Sequence, residues 1–289
     1  MNRINGKTKL IGVFGNPIEH TMSPFIHNAL TRELGLNIIY LPFHIKEGKL
    51  KEAVIGAQAL GLVGNNITVP YKLDVMKFVD VLDQKAEMIG AVNTLLYKDN
   101  MVYGYNTDVD GFIKSCEINN VDFKEKTVAI LGAGGAANAI LSACLEKSAA
   151  KLYIANRTIE KAQALADVFS KYYKHTEIIA LSYSQLMDIK NIELCIQTTS
   201  IGMYPNTEDT IVKDISFFDN IKWAIDIIYN PAETMFLKMA KASGCNTLNG
   251  LGMLFYQGAK AYEIWNEIEI PEAVLDKCYN EFCKKVYEN

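Results

Sequence analysis

The stretch K126-TVAILGAGGAANAILSACLE-K147 decides how this chain is read. Four apolar residues, Val128 to Leu131 after Thr127, make a buried strand that stops at Gly132. The pattern then turns helical, from Gly135 onward. Between the two lies Gly132-x-Gly134-x-x-Ala137. In a strand–turn–helix unit the first glycine permits a tight turn and the second lets a ligand approach the backbone. The third small residue lets helix and strand pack closely. Free N–H groups at the start of the helix then favour an anion such as a pyrophosphate. On this reading Gly132, Ala133, Gly134, Gly135 and Ala136 form a dinucleotide-binding loop.

The next strand, "KLYIA" (151–155), runs into Asn156-Arg157-Thr158. NAD sites carry an acidic residue about 20 residues beyond the glycine turn, bonded to the ribose hydroxyls. None is present here. Arg157 offers a planar fork for a phosphate and Thr158 a hydroxyl, with Lys161 one helical turn on. The chain has only three arginines, Arg3, Arg32 and Arg157, and otherwise uses lysine. NADP is therefore the expected cofactor.

Outward from this unit, the 289 residues suggest two domains of ordinary size. Hydrophobic residues make up 49% and charged residues 21%, as in a folded globular protein. Net charge is −4 with no basic cluster, which argues against a nucleic-acid partner. No apolar run reaches about 18 residues, and the N-terminus lacks a signal-peptide pattern, so no membrane association is expected. The six cysteines (116, 144, 195, 245, 278, 283) form no CxxC pair, and the four histidines lack ligand spacing. Reduced thiols in a cytoplasmic protein, with no metal site, are the expectation.

Before Lys126 the order is strand, helix, strand, helix, strand: "KLIGVFGN", "SPFIHNALTREL", "IIYLPFHI", "KEAVIGAQAL" and "GLVGNNITV". That order implies a parallel sheet. Ser23 is placed as the N-cap of the first helix and Pro24 at its first position. "GAVNTLLYKDNMVYGYN" predicts two short strands around a turn near Lys98–Asn100. The strand ends are rich in small polar side chains: Asn16, Thr21, Ser23, Thr68, Lys72, Asn93, Asn106, Thr107 and Asp108. Singly, each reads better as a cap or turn residue. As a set they suit a small, polyhydroxylated, anionic ligand. Lys72 and Asp108 are the acid/base pair within the set.

These motifs resemble the shikimate dehydrogenase family from Gly12 to about Trp265. "GNPIEHTMSP" is similar to its Gly-Asn-Pro-x-x-His-Ser-x-Ser-Pro, and "NITVPYK" to its Asn-Val-Thr-Val-Pro-Phe-Lys. "GAVNTL", "GYNTD", "GAGGAA", "NRT", "TTSIGM", "DIIYNPAETMFL" and "NGLGMLFYQGA" follow in the family's order. The resemblance implies a two-domain α/β fold. A discontinuous substrate domain, 1–113 with 247–289, would have a parallel-type α/β sheet, and a Rossmann-like NADP domain would span 114–246. It implies reversible, NADPH-dependent reduction of 3-dehydroshikimate in aromatic amino acid biosynthesis, by a monomer or homodimer. The family's substrate residues map onto Thr21, Ser23, Thr68, Lys72, Asn93, Asp108, Tyr229 and Gln257, with Lys72 and Asp108 catalytic. Thr199 and Gly250 join the cofactor set. Thr21 stands where the family has serine; it keeps a hydroxyl and adds a methyl group. Relatives that also use quinate vary here, so broader substrate or cofactor use is the alternative. A cofactor sensor without catalysis is opposed by the presence of both Lys72 and Asp108.

Overall fold

The computed structural model describes residues 4–288. In chain order the elements are β1 (Lys9–Gly15), α1 (Ser23–Leu34), β2 (Ile38–His44), α2 (Leu50–Ala59), β3 (Gly64–Ile67), β4 (Val81–Leu82), α3 (Gln84–Ile89), β5 (Thr94–Lys98), β6 (Met101–Tyr105) and α4 (Asp108–Ile118). There follow β7 (Thr127–Leu131), α5 (Gly135–Glu146), β8 (Lys151–Ala155), α6 (Ile159–Ser170), β9 (Glu177–Leu181), α7 (Tyr183–Met187), β10 (Leu194–Gln197), β11 (Trp223–Asp226), α8 (Met235–Ala242), β12 (Asn246–Leu248), α9 (Leu251–Asn266) and α10 (Glu272–Tyr287). The chain divides into two compact units. One runs to Gly111 and resumes at Phe255; the other is Phe112–Leu254.

The first unit holds a six-stranded sheet in the order β2-β1-β3-β5-β6-β4. β1 pairs in parallel with β2 and with β3, as the helical crossovers α1 and α2 require. The β5–β6 hairpin adds antiparallel strands to this core. Its turn places Asp99 and Asn100 at φ 52° and 60°, the left-handed pair that suits a two-residue hairpin. Helix α1 begins one residue earlier than its sequence suggests. Met22, not Ser23, is the N-cap, and Pro24 lies beyond the first position. The reason is local: Ser23 N donates to Thr21 Oγ1 at 3.3 Å, and the Met22 carbonyl already accepts from Phe25 and Ile26. The C-terminal helices belong to this unit's core. Trp265, 3% exposed, donates its Nε1 proton to Leu95 O at 2.8 Å.

The second unit holds a sheet ordered β12-β11-β10-β7-β8-β9, parallel throughout. Numbered within the unit, this is 6-5-4-1-2-3, the doubly wound order that reverses between its first and fourth strands. The strands are buried on both faces, which explains continuous apolar runs such as "VAIL". Phe169, Phe218 and Phe236 are almost fully buried, each contributing roughly 2 kcal/mol. β9 and β12, at the two edges, carry no sequence signature: β9 has no fully buried residue and β12 has three residues. No helix among the described residues is long and apolar enough to cross a membrane.

Candidate active site and cofactor loop

Lys72 follows β3 on a segment whose backbone is tied down. Thr68 N donates to Phe14 O at 3.0 Å, Val92 N donates to Lys72 O at 2.9 Å, and the Tyr71 phenol donates to Ile45 O at 3.0 Å. The ammonium therefore starts from a fixed base. Asp108 opens α4, where the helix N-terminus favours a negative side chain. Lys72 Nζ donates to Asp108 Oδ2 at 2.6 Å. The pair is neither sunk in the core nor free in water: the side chains are 32% and 15% exposed. This geometry keeps a charged donor accessible while a carboxylate holds it in place.

The other carboxylate oxygen is also engaged. Asn93 Nδ2 donates to Asp108 Oδ1 at 2.9 Å and to Gln257 Oε1 at 3.4 Å, which draws α9 into the cluster. Asn93 Oδ1 accepts from Thr107 N at 2.9 Å. Asn106, read as a site candidate, serves the backbone instead: its Nδ2 donates to Ala91 O and its Oδ1 accepts from Asp108 N. Thr21 and Ser23 form a second polar pair, Oγ1 to Oγ, at 3.2 Å. Thr68 is half-buried, with its methyl group over Gly15. Asp108 is thus no simple cap, because both of its oxygens are taken by side chains. Sequence reading missed Tyr40, Asn66 and Thr94, which lie behind Asn93 (below). Their identity as buried polar residues inside strands was the available signal.

In the second unit the glycine turn follows β7 where the strand order reverses, the position at which doubly wound sheets bind ligands. Gly132 has φ +115°, and a Cβ there would meet Thr198 Oγ1 at 2.6 Å. Thr198 is held by its own Oγ1, which donates to Leu131 O at 2.8 Å. At Gly134 and Gly135 an added Cβ would meet no protein atom. Internal packing does not demand glycine there, and the open backbone at the start of α5 leaves room for an anion to approach its N–H groups. Ala133 and Ala136 flank these positions, and Ala137 is fully buried. Thr199 donates to Gln197 Oε1 through both N and Oγ1.

Past β8, Asn156 Nδ2 donates to Thr158 O at 2.8 Å and closes the loop that carries Arg157. Arg157 and Lys161 are exposed, and neither pairs with a carboxylate among the described residues. Two uncompensated cations with the Thr158 hydroxyl, which makes no cap bond, fit a phosphate ester. The residues present thus fit a phosphorylated dinucleotide. Tyr229, just past β11, is half-buried, and burial raises its phenol above the ordinary value. Gly250 is buried, and a Cβ there would overlap Ile227 O, so close backbone packing alone requires glycine. Asp226 ends β11 fully buried, accepting from Ile228 N at 3.0 Å and Thr234 Oγ1 at 2.7 Å. Burial pushes its carboxyl up to about 7. Among the described residues no three His, Cys, Asp or Glu side chains converge to hold a metal ion.

A doubly wound sheet with a glycine turn at its reversal, and a lysine–aspartate centre in the companion unit, define the class: an α/β dehydrogenase of the dinucleotide-binding kind. Family models match in three segments: the shikimate dehydrogenase substrate binding domain over 13–95, shikimate / quinate 5-dehydrogenase over 115–226, and the shikimate 5'-dehydrogenase C-terminal domain over 250–277. The chain belongs to the shikimate dehydrogenase family. It is 42% identical over 281 residues to shikimate dehydrogenase (NADP(+)) of Methanocaldococcus jannaschii, covering 95% of this chain and 99% of that one. A shikimate dehydrogenase solved in complex with NADP+ superposes with a TM-score of 0.87 at 40% identity, over 96% of this chain and 97% of that one. The Listeria monocytogenes shikimate 5-dehydrogenase, solved with shikimate and NAD, gives 0.89 at 33% identity, over 96% and 98%.

Proposed function

We propose that this chain catalyses the reversible reduction of 3-dehydroshikimate to shikimate with NADPH. The observation that carries the reading is the Lys72–Asp108 pair at 2.6 Å, in a chain of this family. The names of its relatives support the substrate and the cofactor. Thr21 and Ser23 are assigned to the substrate carboxylate, whose charge their two hydroxyls suit. Thr68, Asn93, Gln257 and Tyr229 are assigned to the ring hydroxyls.

NADPH, when bound, supplies the hydride. Gly132 to Ala136 would hold its pyrophosphate, Asn156, Arg157, Thr158 and Lys161 its 2′-phosphate, and Thr199 and Gly250 would complete the set. As the carbonyl carbon gains hydride, negative charge grows on its oxygen. Lys72 stabilises that charge and delivers the proton, giving the alcohol. Asp108 holds the ammonium in line throughout, and Asn93 occupies the carboxylate oxygen that the lysine leaves free.

The test compares kcat/KM for shikimate and quinate, each with NADP⁺ and NAD⁺. Shikimate with NADP⁺ should dominate the four combinations. Comparable values for quinate would point to a broader dehydrogenase. Tight NADP⁺ binding with no turnover of either substrate would refute the reading.

A further inference from the structure

Behind Asn93 lies a line of buried polar side chains that crosses the first unit's sheet from the edge strand β2 to β5. Tyr40 donates from its hydroxyl to Asn66 Oδ1 at 2.7 Å. Asn66 Nδ2 donates to Thr94 Oγ1 at 3.2 Å and to Asn93 O at 3.4 Å. Thr94 donates its hydroxyl proton to Asn93 Oδ1 at 2.9 Å. Asn93 Nδ2 then donates to Asp108 Oδ1 at 2.9 Å. Tyr40 and Thr94 are fully buried, and Asn66 and Asn93 are 6% and 2% exposed.

The direction of this line is not arbitrary. A backbone carbonyl can only accept, so Asn93 O fixes which end of the Asn66 amide is NH2. A backbone N–H can only donate, so Thr107 N fixes which end of the Asn93 amide is oxygen. With both amides oriented, Thr94 receives Asn66 on its oxygen and gives its proton to Asn93 Oδ1 at 2.9 Å, a shorter contact than the 3.4 Å to Thr107 Oγ1. The bonds from Tyr40 through Asn66, Thr94 and Asn93 therefore run in one sense toward Asp108, with side branches from Asn93 Nδ2 to Thr107 Oγ1 and Gln257 Oε1. Bonds aligned in one sense polarise one another in a dry interior. A reversed Asn93 would set its oxygen against the carboxylate and its NH2 against two donors.

We propose that Tyr40, Asn66 and Thr94 are positioning residues for the reaction: they lock the Asn93 carboxamide with its NH2 on Asp108, and through it hold the carboxylate against Lys72. The inference rests on the reading of Lys72 and Asp108 as the reacting pair. None of the three touches the pair directly. Their role is to remove the second orientation of Asn93, so that Asp108 keeps one fixed donor on one oxygen and the lysine on the other.

The test uses the full chain with Thr94→Val, Thr94→Ser and Tyr40→Phe. Valine matches threonine in shape but neither accepts from Asn66 nor donates to Asn93; serine does both. Shikimate oxidation with NADP⁺ should show kcat reduced about tenfold or more in Thr94→Val, with the shikimate KM within about threefold. Thr94→Ser should stay within about threefold of wild type, and Tyr40→Phe should lie between. Independently of turnover, the Asn93 side-chain NH2 pair is read by 15N NMR, assigned by its loss in Asn93→Asp. It should be resolved and slowly exchanging in wild type and Thr94→Ser, and averaged or shifted in Thr94→Val. Equal kcat in the valine and serine variants, or an unchanged Asn93 signal in Thr94→Val, overturns the proposal. If Thr94→Val does not fold, Tyr40→Phe carries the same two readouts, and an unchanged Asn93 signal there is equally fatal. A wild-type chain that does not oxidise shikimate would sink the functional reading alone, since the NMR comparison still decides the lock.

Discussion

Lowering the pH from 7 to 5 should cost the first unit about 2 kcal/mol through His27 alone. The imidazole is fully buried in α1, stacked on Tyr40 at 4.1 Å with 6° between planes and tilted against Trp265 at 5.3 Å. Desolvation drives its midpoint down from 6.5 to about 3, with only the Asn66 side chain working the other way. A stacked tyrosine face favours a cation by about 0.5–2 kcal/mol, too little to offset that burial. The folded midpoint lies below the unfolded one. Stability is therefore fully present above pH 6.5 and is lost as pH falls toward 3. At pH 5 the unfolded histidine is one and a half pH units below its midpoint while the folded one is still neutral, hence the figure of about 2 kcal/mol. The assay is guanidinium unfolding at both pH values, for wild type and His27→Phe, in a Trp223→Phe background so that the buried Trp265 reports. Any packing cost of phenylalanine is independent of pH and cancels. The loss on acidification should be about 2 kcal/mol smaller in His27→Phe. The same loss in both proteins would mean that the buried ring takes its proton at an ordinary pH, and the desolvation argument would fail.

Asp226 makes the opposite prediction for the second unit. Its midpoint is raised to about 7 from 3.8, so its contribution is present below pH 3.8 and is lost as pH rises through 7, by about 2 kcal/mol between pH 5 and 7. Asp226→Asn should flatten that dependence in hydrogen exchange of β11 peptides, and an unaltered slope would refute it. On the proposed role of Lys72, a contact made mainly in the transition state, Lys72→Ala should lower kcat by about 10²–10⁴ with KM changed less than about threefold; a rise in KM alone would make it a binding residue. Arg157→Ala should weaken NADP⁺ binding about tenfold or more and leave NAD⁺ nearly unchanged, measured by titration calorimetry. Equal losses would place the 2′-phosphate elsewhere. Gly132→Ala forces a side chain to φ +115° and against Thr198, and should cost about 1–3 kcal/mol in urea unfolding; no change would show that the turn relaxes freely.

Some of this was legible early because it is local. The glycine turn, the parallel core strands and the hairpin each leave a short-range signature, through backbone freedom, two-sided burial or paired left-handed residues. The N-cap of α1 was misplaced by one residue because Thr21, not Ser23, supplies the hydroxyl that closes the turn. β9 and β12 escaped notice because edge strands so short and so little buried need no apolar pattern.

The sequence by itself determined the two α/β units, the glycine turn and the arginine after β8, since residue type and spacing suffice for these. Only the tertiary structure decided which polar residues act together. Lys72, Asn93, Asp108 and Gln257 come from four separate segments, and a 2.6 Å contact between the first and third is a product of sheet packing. The same holds for the orientation of Asn93. An amide has two ends that sequence cannot tell apart, and only the surrounding donors and acceptors choose between them.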